Sequence, residues 1–284
     1  MPDTTDTVLV TAAELSAALD SATPPVVLDV RWKLGGPPGH GEYLTGHVPG
    51  AVYVDLDDEL ASHGEPTDGR HPLPDPAALQ ASARRWGLND GTPVVVYDGD
   101  GNLAAARAWW LLRWAGVPDV RILDGALPAW REAGLPLATD DVAPEPGSIE
   151  LHPGALPTLS VDEVDSFEGV LLDARAPERF RGETEPVDPK AGHIPGARNV
   201  PTGGNLAPDG RFLPAAQLRE RFAAAGADGD RPVAVYCGSG VTASHQIAAL
   251  ALAGIDATLY PGSWSQWSNL DLPVATGPER HADT

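Results

Sequence analysis

The 284-residue chain carries the same ordered set of segments twice. The first half reads "VVLDVRW", "GHVPGAVYVDL", "PVVVYDGDGNLAAARAWWLLRWAGV" and "VRILDGALPAW"; the second reads "VLLDARA", "GHIPGARNVP", "PVAVYCGSGVTASHQIAALALAGI" and "ATLYPGSWSQW". The spacing is nearly constant: Asp29 and Asp173 are 144 residues apart, His47 and His193 146, and Asp98 and Cys237 139. That period is too long for a solenoid unit and fits two tandem domains of one fold.

Within each half, short β-branched runs alternate with helical stretches. "VVLDV", "VVVYD" and "RILDG" are continuously apolar, as strands buried on both faces are. "NLAAARAWWLLRWAG" and "TASHQIAALALAG" have helical length and end at a glycine stop. The alternation predicts an α/β protein: two tandem domains, each a mainly parallel sheet with helices on both faces. The Pro- and Gly-rich stretch "ATDDVAPEPGSIELHPGALP" reads as the crossing between them. The expected division is residues 1–140, a linker over 141–155, and 156–284.

The second copy differs from the first at one chemically telling place. "YCGSGVTASHQ" holds Cys237, the single cysteine of the chain, at the end of an apolar strand and the start of a helix. Ligands of α/β folds bind at that position. Loop amides and the helix N-terminus favour a thiolate there over a thiol. Gly238 and Gly240 are read as permitting the backbone angles of such a cradle, and Ser239 and Thr242 bring hydroxyls to its rim. A buried packing cysteine is the alternative, since free cysteine is often buried. The first copy argues against it: "YDGDGNLAA" places Asp98 at the equivalent position, so the turn folds without a thiol.

Several chemistries are excluded. A cysteine phosphatase needs five loop residues and then an arginine; Ala243 stands there. One cysteine makes neither an internal disulfide nor a redox pair, and fits a reducing cytoplasm. His193, His245 and Cys237 lack the compact spacing of a metal site, so no metal is expected. Forty acidic against 19 basic residues, a net −21, argues against nucleic-acid or anionic-membrane partners. An anionic substrate would then need a local basic pocket. The N-terminus has no basic start or long apolar core, and no apolar run approaches a membrane span, so neither a signal peptide nor a membrane segment is expected.

Taken together, "GHVPGA", "GHIPGA", "LLDAR" and "CGSGVTA" resemble the tandem-rhodanese sulfurtransferases, over nearly the whole chain. Thiosulfate-type members carry two cations inside the cysteine loop, whereas the neutral "CGSGVTA" form is similar to the 3-mercaptopyruvate enzymes. A neutral Gly-Ser pair leaves room for a 2-oxo acid whose carboxylate is held further away. The resemblance implies that Gly238, Gly240, Val241 and Thr242 line the donor site and that Arg179, in "ERFRG", binds the substrate carboxylate, as a planar guanidinium does well. Family members often carry a second arginine before "GHIPG". Here "EPVDPKAGHIPG" offers Lys190 in that stretch, as a substrate cation or as an exposed loop lysine. Arg175 and Arg181 are read as structural or surface groups. Asp57 matches an acidic residue proposed in the family to work with the loop serine, and His71, in "GRHPLP", matches a histidine lining the site. A helix-capping or surface acid is the alternative for Asp57. For Asp57 to reach Ser239, the active site would lie at the domain interface. His47 and His193, present in both copies, are read as architectural.

The implied reaction is transfer of sulfur from 3-mercaptopyruvate through a Cys237 persulfide to a thiol, cyanide or reduced dithiol protein, with no cofactor. The pyruvate enolate is protonated through Ser239 polarised by Asp57. Thiosulfate sulfurtransferase activity, and a sulfur-carrier or regulatory module without turnover, are the alternatives.

Overall fold

The computed structural model describes residues 8–278; the opening seven residues of the N-terminal stretch and the last six lie outside it. The chain forms two compact units. One holds the residues up to Ser62, Leu73–Leu156 and Leu206–Phe212; the other holds His63–Pro72, Pro157–Asn205 and the chain from Leu213. Chain order does not assign the two exchanged segments; specific bonds do. Ser265 Oγ accepts the Arg70 backbone N–H at 3.0 Å, and Gln266 donates to the Thr67 carbonyl at 3.0 Å. In the first unit, Asp124 accepts the Phe212 N–H at 2.9 Å and Arg211 pairs with Glu132 at 2.8 Å.

The first unit contains a five-stranded sheet in the order β1-β5-β4-β2-β3, from β1 (Leu9–Val10), β2 (Val26–Asp29), β3 (Val52–Tyr53), β4 (Val94–Tyr97) and β5 (Val120–Leu123). The second contains β7-β6-β8-β9, from β6 (Val170–Asp173), β7 (Arg198–Asn199), β8 (Val233–Tyr236) and β9 (Thr258–Leu259). Every ladder in both sheets is parallel, joined by helical crossovers. β4 (VVVY) and β8 (VAVY) are central and wholly buried, which is why they read as unbroken apolar runs. Each such valine contributes about 1.5–3 kcal/mol. Where β1 pairs with β5 in the first unit, the second has a single parallel bridge between Thr158 and Leu259.

The repeat extends to the polar bracing. Arg31 grips Asp29 with two guanidinium nitrogens (3.0 and 2.9 Å) and donates to the Gly46 carbonyl; Arg175 does the same with Asp173 and the Gly192 carbonyl. His47 stacks on Tyr43 at 4.0 Å and His193 on Phe180 at 3.7 Å, each with Nδ1 against that ring's backbone carbonyl. The hydroxyls of Tyr97 and Tyr236 accept the N–H groups of Val48 and Ile194. These histidines are architectural: buried, stacked and bonded to backbone.

The loop after β4 shows what the shared turn demands. The Asp98 carboxylate accepts four backbone N–H groups, from Asp100, Asn102, Ala104 and Ala105, at 2.9–3.3 Å. Burial pushes its carboxyl up to about 6, against the downward pull of those amides. A raised folded-state value contributes stability that is complete below the unfolded carboxyl's 3.8 and is lost as pH rises through about 6. In urea denaturation at pH 5 and pH 7.5, the stability of the native protein relative to Asp98→Asn should therefore fall by about 1–1.5 kcal/mol at the higher pH. A pH-independent difference would mean that the amides keep this carboxylate ionised throughout.

Candidate active site

Cys237 directly follows β8, an interior strand of its sheet, and the helix Val241–Leu252 begins four residues on. Its side chain is buried, and Sγ accepts the backbone N–H of Gly240 at 3.1 Å. Gly240 lies in the left-handed region (φ 79°), turning the chain so that this amide points inward. The strand end is clamped from behind. Trp264 and Ser265 donate backbone N–H groups to the carbonyls of Cys237 and Gly238 at 3.0 and 2.8 Å. The Ser263 hydroxyl accepts the Cys237 N–H at 3.2 Å and donates to the Tyr260 carbonyl. Ser263 itself has φ 52°, left-handed backbone outside glycine, and its first-unit counterpart Ala126 has φ 55°.

Ser239 is buried, and its hydroxyl shares a 2.7 Å hydrogen bond with Nδ1 of the buried His71. His71 lies on the excursion His63–Pro72, which belongs to the second unit. Val241 is buried at the first helical position and Thr242 is half-buried beside it. Gly238 has no left-handed torsion, and its role is space: a Cβ there would lie 3.1 Å from a guanidinium nitrogen of Arg70 and 3.5 Å from one of Arg179. The conformational reading of two glycines therefore applies to Gly240 alone.

The second unit also contains a ladder of alternating charges. Asp173 pairs with Arg175 at 2.7 Å, Arg175 with Glu185 at 3.4 Å, Glu185 with Arg179 at 2.6 Å, and Arg179 with Asp188 at 3.2 Å; Asp188 pairs in turn with Arg70. Glu185 and Asp188 are 4 % and 2 % exposed, so these are buried carboxylates held by guanidinium groups. Burial, reinforced by Glu185, pushes the Asp188 carboxyl up against the pull of Arg70 and Arg179. The Arg175 guanidinium also lies 4.6 Å from the Trp264 ring centre, joining the ladder to the segment that clamps Cys237.

Lys190 is engaged elsewhere, its ammonium donating to the Leu270 carbonyl at 2.6 Å. The cation next to Gly238 that sequence reasoning passed over is Arg70. Its signal was adjacency, because Arg70 directly precedes His71 in "GRHPLP". Glu185 and Asp188 gave no such sign, since loop carboxylates in an acidic chain read as surface. Arg181 pairs with Glu183 at an exposed site. Asp57 belongs to the first unit, where its exposed carboxylate accepts the Trp32 indole N–H at 3.0 Å. The cap of its short helix Leu56–Glu59 is Asp55. Among the described residues no three His, Cys, Asp or Glu side chains are grouped to hold a metal ion, and no helix is long and apolar enough to cross a membrane.

The arrangement is thus a thiol in a loop cradle, beside a Ser–His pair and two guanidinium groups. The rhodanese-like domain family matches residues 11–133 and 160–270. A Mycobacterium tuberculosis protein named "Putative thiosulfate sulfurtransferase SseB" is 52% identical, with 92% of this chain and 94% of that protein aligned. A Pseudomonas aeruginosa protein named "Probable 3-mercaptopyruvate sulfurtransferase" is 47% identical over 95% and 98% of the two chains. The crystal structure of SseA from Escherichia coli, described as a 3-mercaptopyruvate sulfotransferase, superposes with a TM-score of 0.81 at 33% identity, covering 91% of this chain and 99% of SseA. With both halves matched and this level of identity over nearly full length, the chain belongs to the rhodanese family, as a tandem of two rhodanese-like domains.

Proposed function

We propose that this chain is a sulfurtransferase that accepts sulfur from 3-mercaptopyruvate on Cys237 and delivers it to a thiol, cyanide or reduced dithiol protein. The observation that carries the reading is the setting of the sulfur: Gly240 donates an amide to Sγ while the neighbouring Ser239 is bonded to His71. The relatives named for 3-mercaptopyruvate support the choice of donor.

The chemistry follows from those groups. The Cys237 thiolate attacks the sulfur of 3-mercaptopyruvate, an S–S bond forms, and the carbon–sulfur bond breaks. Its electron pair leaves with the carbon, generating the enolate of pyruvate, which takes up a proton to become pyruvate. Ser239 delivers that proton and His71 resupplies it through the 2.7 Å bond, with Asp57 as the acid that the family resemblance implies polarises Ser239. The enzyme is left as a Cys237 persulfide, whose outer sulfur carries the charge. The Gly240 amide on Sγ and the start of the helix Val241–Leu252 suit the Cys237 loop to hold that anion. A second thiolate, or cyanide, then attacks the outer sulfur and regenerates the Cys237 thiolate. A lone free cysteine that must cycle through this state suits a reducing compartment such as the cytoplasm.

Thiosulfate is the second reading, and one observation favours it. The loop lacks cations of its own, but Arg70 and Arg179 bring two guanidinium groups over Gly238, which a compact dianion could engage once the carboxylates that hold them give way. Steady-state comparison of the two donors decides: a higher kcat/KM for 3-mercaptopyruvate is expected, and a preference for thiosulfate would replace the donor assignment.

Incubation with 3-mercaptopyruvate should add about 32 Da to the intact mass, with none added in Cys237→Ser. Absence of the adduct in the native protein, or its survival in that variant, would remove the mechanism and favour a module without turnover. His71→Gln should lower kcat about 100-fold with a smaller change in KM, as loss of a proton relay does. Asp57→Asn is expected to slow kcat more than it raises KM; a change confined to KM would make Asp57 a positioning residue.

A further inference from the structure

We propose that Asp188 is a resident stand-in for the donor's carboxylate, and that Arg70 and Arg179 form the anion clamp that it occupies and that the donor enters by displacing it. The inference rests on the sulfurtransferase reading for the donor's identity. Its geometry stands without that reading.

Three observations carry it. First, guanidinium groups from two separate segments converge on one carboxylate and on one backbone position. Arg70, from the excursion His63–Pro72, and Arg179, from the helix Pro177–Phe180, both pair with Asp188. Both also close over Gly238, the residue next to the nucleophile, at 3.1 and 3.5 Å from where a side chain would begin. A carboxylate held between them sits against the thiol's own loop.

Second, the resident carboxylate does not exhaust the clamp. Arg70 Nε is buried and has no hydrogen-bond partner. A buried guanidinium N–H left unmade is costly, and a carboxylate approaching the fork edge-on would satisfy it. Third, the ladder is electrically closed: Arg70, Arg175 and Arg179 stand against Asp173, Glu185 and Asp188. An arriving anion therefore meets no net positive charge until one carboxylate gives way. Asp173 is gripped by three bonds from Arg175, and Glu185 bridges Arg175 and Arg179 while accepting two backbone N–H groups. Asp188 is the last acid of the ladder, and with Arg70 it borders a cleft of about 390 Å³, also lined by Val187, Pro189 and Ser265, which gives a displaced carboxylate somewhere to go. Exchange of one carboxylate for another keeps the ion pairing intact, so the half-buried arginines are never left unpaired.

The test uses probes that need no sulfur transfer. The rate of Cys237 alkylation by iodoacetate, which carries a carboxylate, is divided by the rate with neutral iodoacetamide. Asp188→Asn should raise that ratio about fivefold, and Arg70→Gln should lower it by a similar factor. Glu183→Gln, which removes an exposed carboxylate paired with Arg181, controls for the general field and should change the ratio less than about twofold. In steady state with 3-mercaptopyruvate, Asp188→Asn should lower KM and Arg70→Gln should raise it about tenfold, with the effects on KM rather than kcat. An unchanged or lower ratio in Asp188→Asn, or an unchanged ratio and KM in Arg70→Gln, overturns the proposal. The iodoacetamide rate and the thermal midpoint report folding, and Arg70→Gln, at the more exposed end of the ladder, keeps the test open if Asp188→Asn does not fold. Shifted ratios without a persulfide from 3-mercaptopyruvate keep the clamp and overturn the donor. A persulfide with unmoved ratios does the reverse.

Discussion

Everything at this site depends on a strand-to-helix turn whose backbone N–H groups point inward. Such groups must be satisfied, and the turn cannot satisfy them from its own carbonyls. The two units meet the demand with different turns: the first passes through left-handed Gly101 and Asn102 before its helix starts at Ala105, and the second through Gly240 before its helix starts at Val241. After β4, the carboxylate of Asp98 takes four amides and the loop becomes a closed structural plug. After β8, a thiol stands in the same place and takes the Gly240 amide. The first turn is thereby closed around a carboxylate, and the second around a thiol.

The rest of the second unit keeps that site in shape. The Asp-Arg pair, the stacked histidine and the tyrosine hydroxyl recur in both units and set the sheet edge and the "GHxPG" turn. In the second unit the Asp173–Arg175 pair is extended outward through Glu185, Arg179 and Asp188 to Arg70. A buried ion pair is a weak source of stability but punishes the loss of either partner. Alternation along the ladder thus fixes the positions of two arginines beside Gly238 without leaving any charge uncompensated. Architecture shared by both units becomes, by four additional residues, electrostatics found in one.

Much of this was legible in the chain. The parallel α/β architecture followed from apolar runs alternating with helical segments, and the candidate nucleophile from a thiol replacing an aspartate in the second copy of the repeat. The architectural histidines were legible because both copies have them. Arg70 was not, since it meets Asp188 across 118 residues of sequence, and Glu185 and Asp188 were not, since loop carboxylates near arginines in an acidic chain read as surface groups. The two glycines of "CGSG" looked alike but serve different needs. Gly240 supplies a torsion, and Gly238 leaves room for guanidinium groups that no local pattern announces.

The sequence by itself determined the tandem design, the position of Cys237 at the end of a central strand and the absence of a thiol from the first copy. Those are local or periodic properties, set by burial pattern, turn chemistry and residue identity. Only the tertiary structure decided that the segment His63–Pro72 belongs with the second unit, that Ser239 is bonded to His71, and that the cation beside the loop is Arg70 while Lys190 is tied to Leu270. Charged and polar side chains find partners by distance in space, and sequence spacing carries no record of that distance.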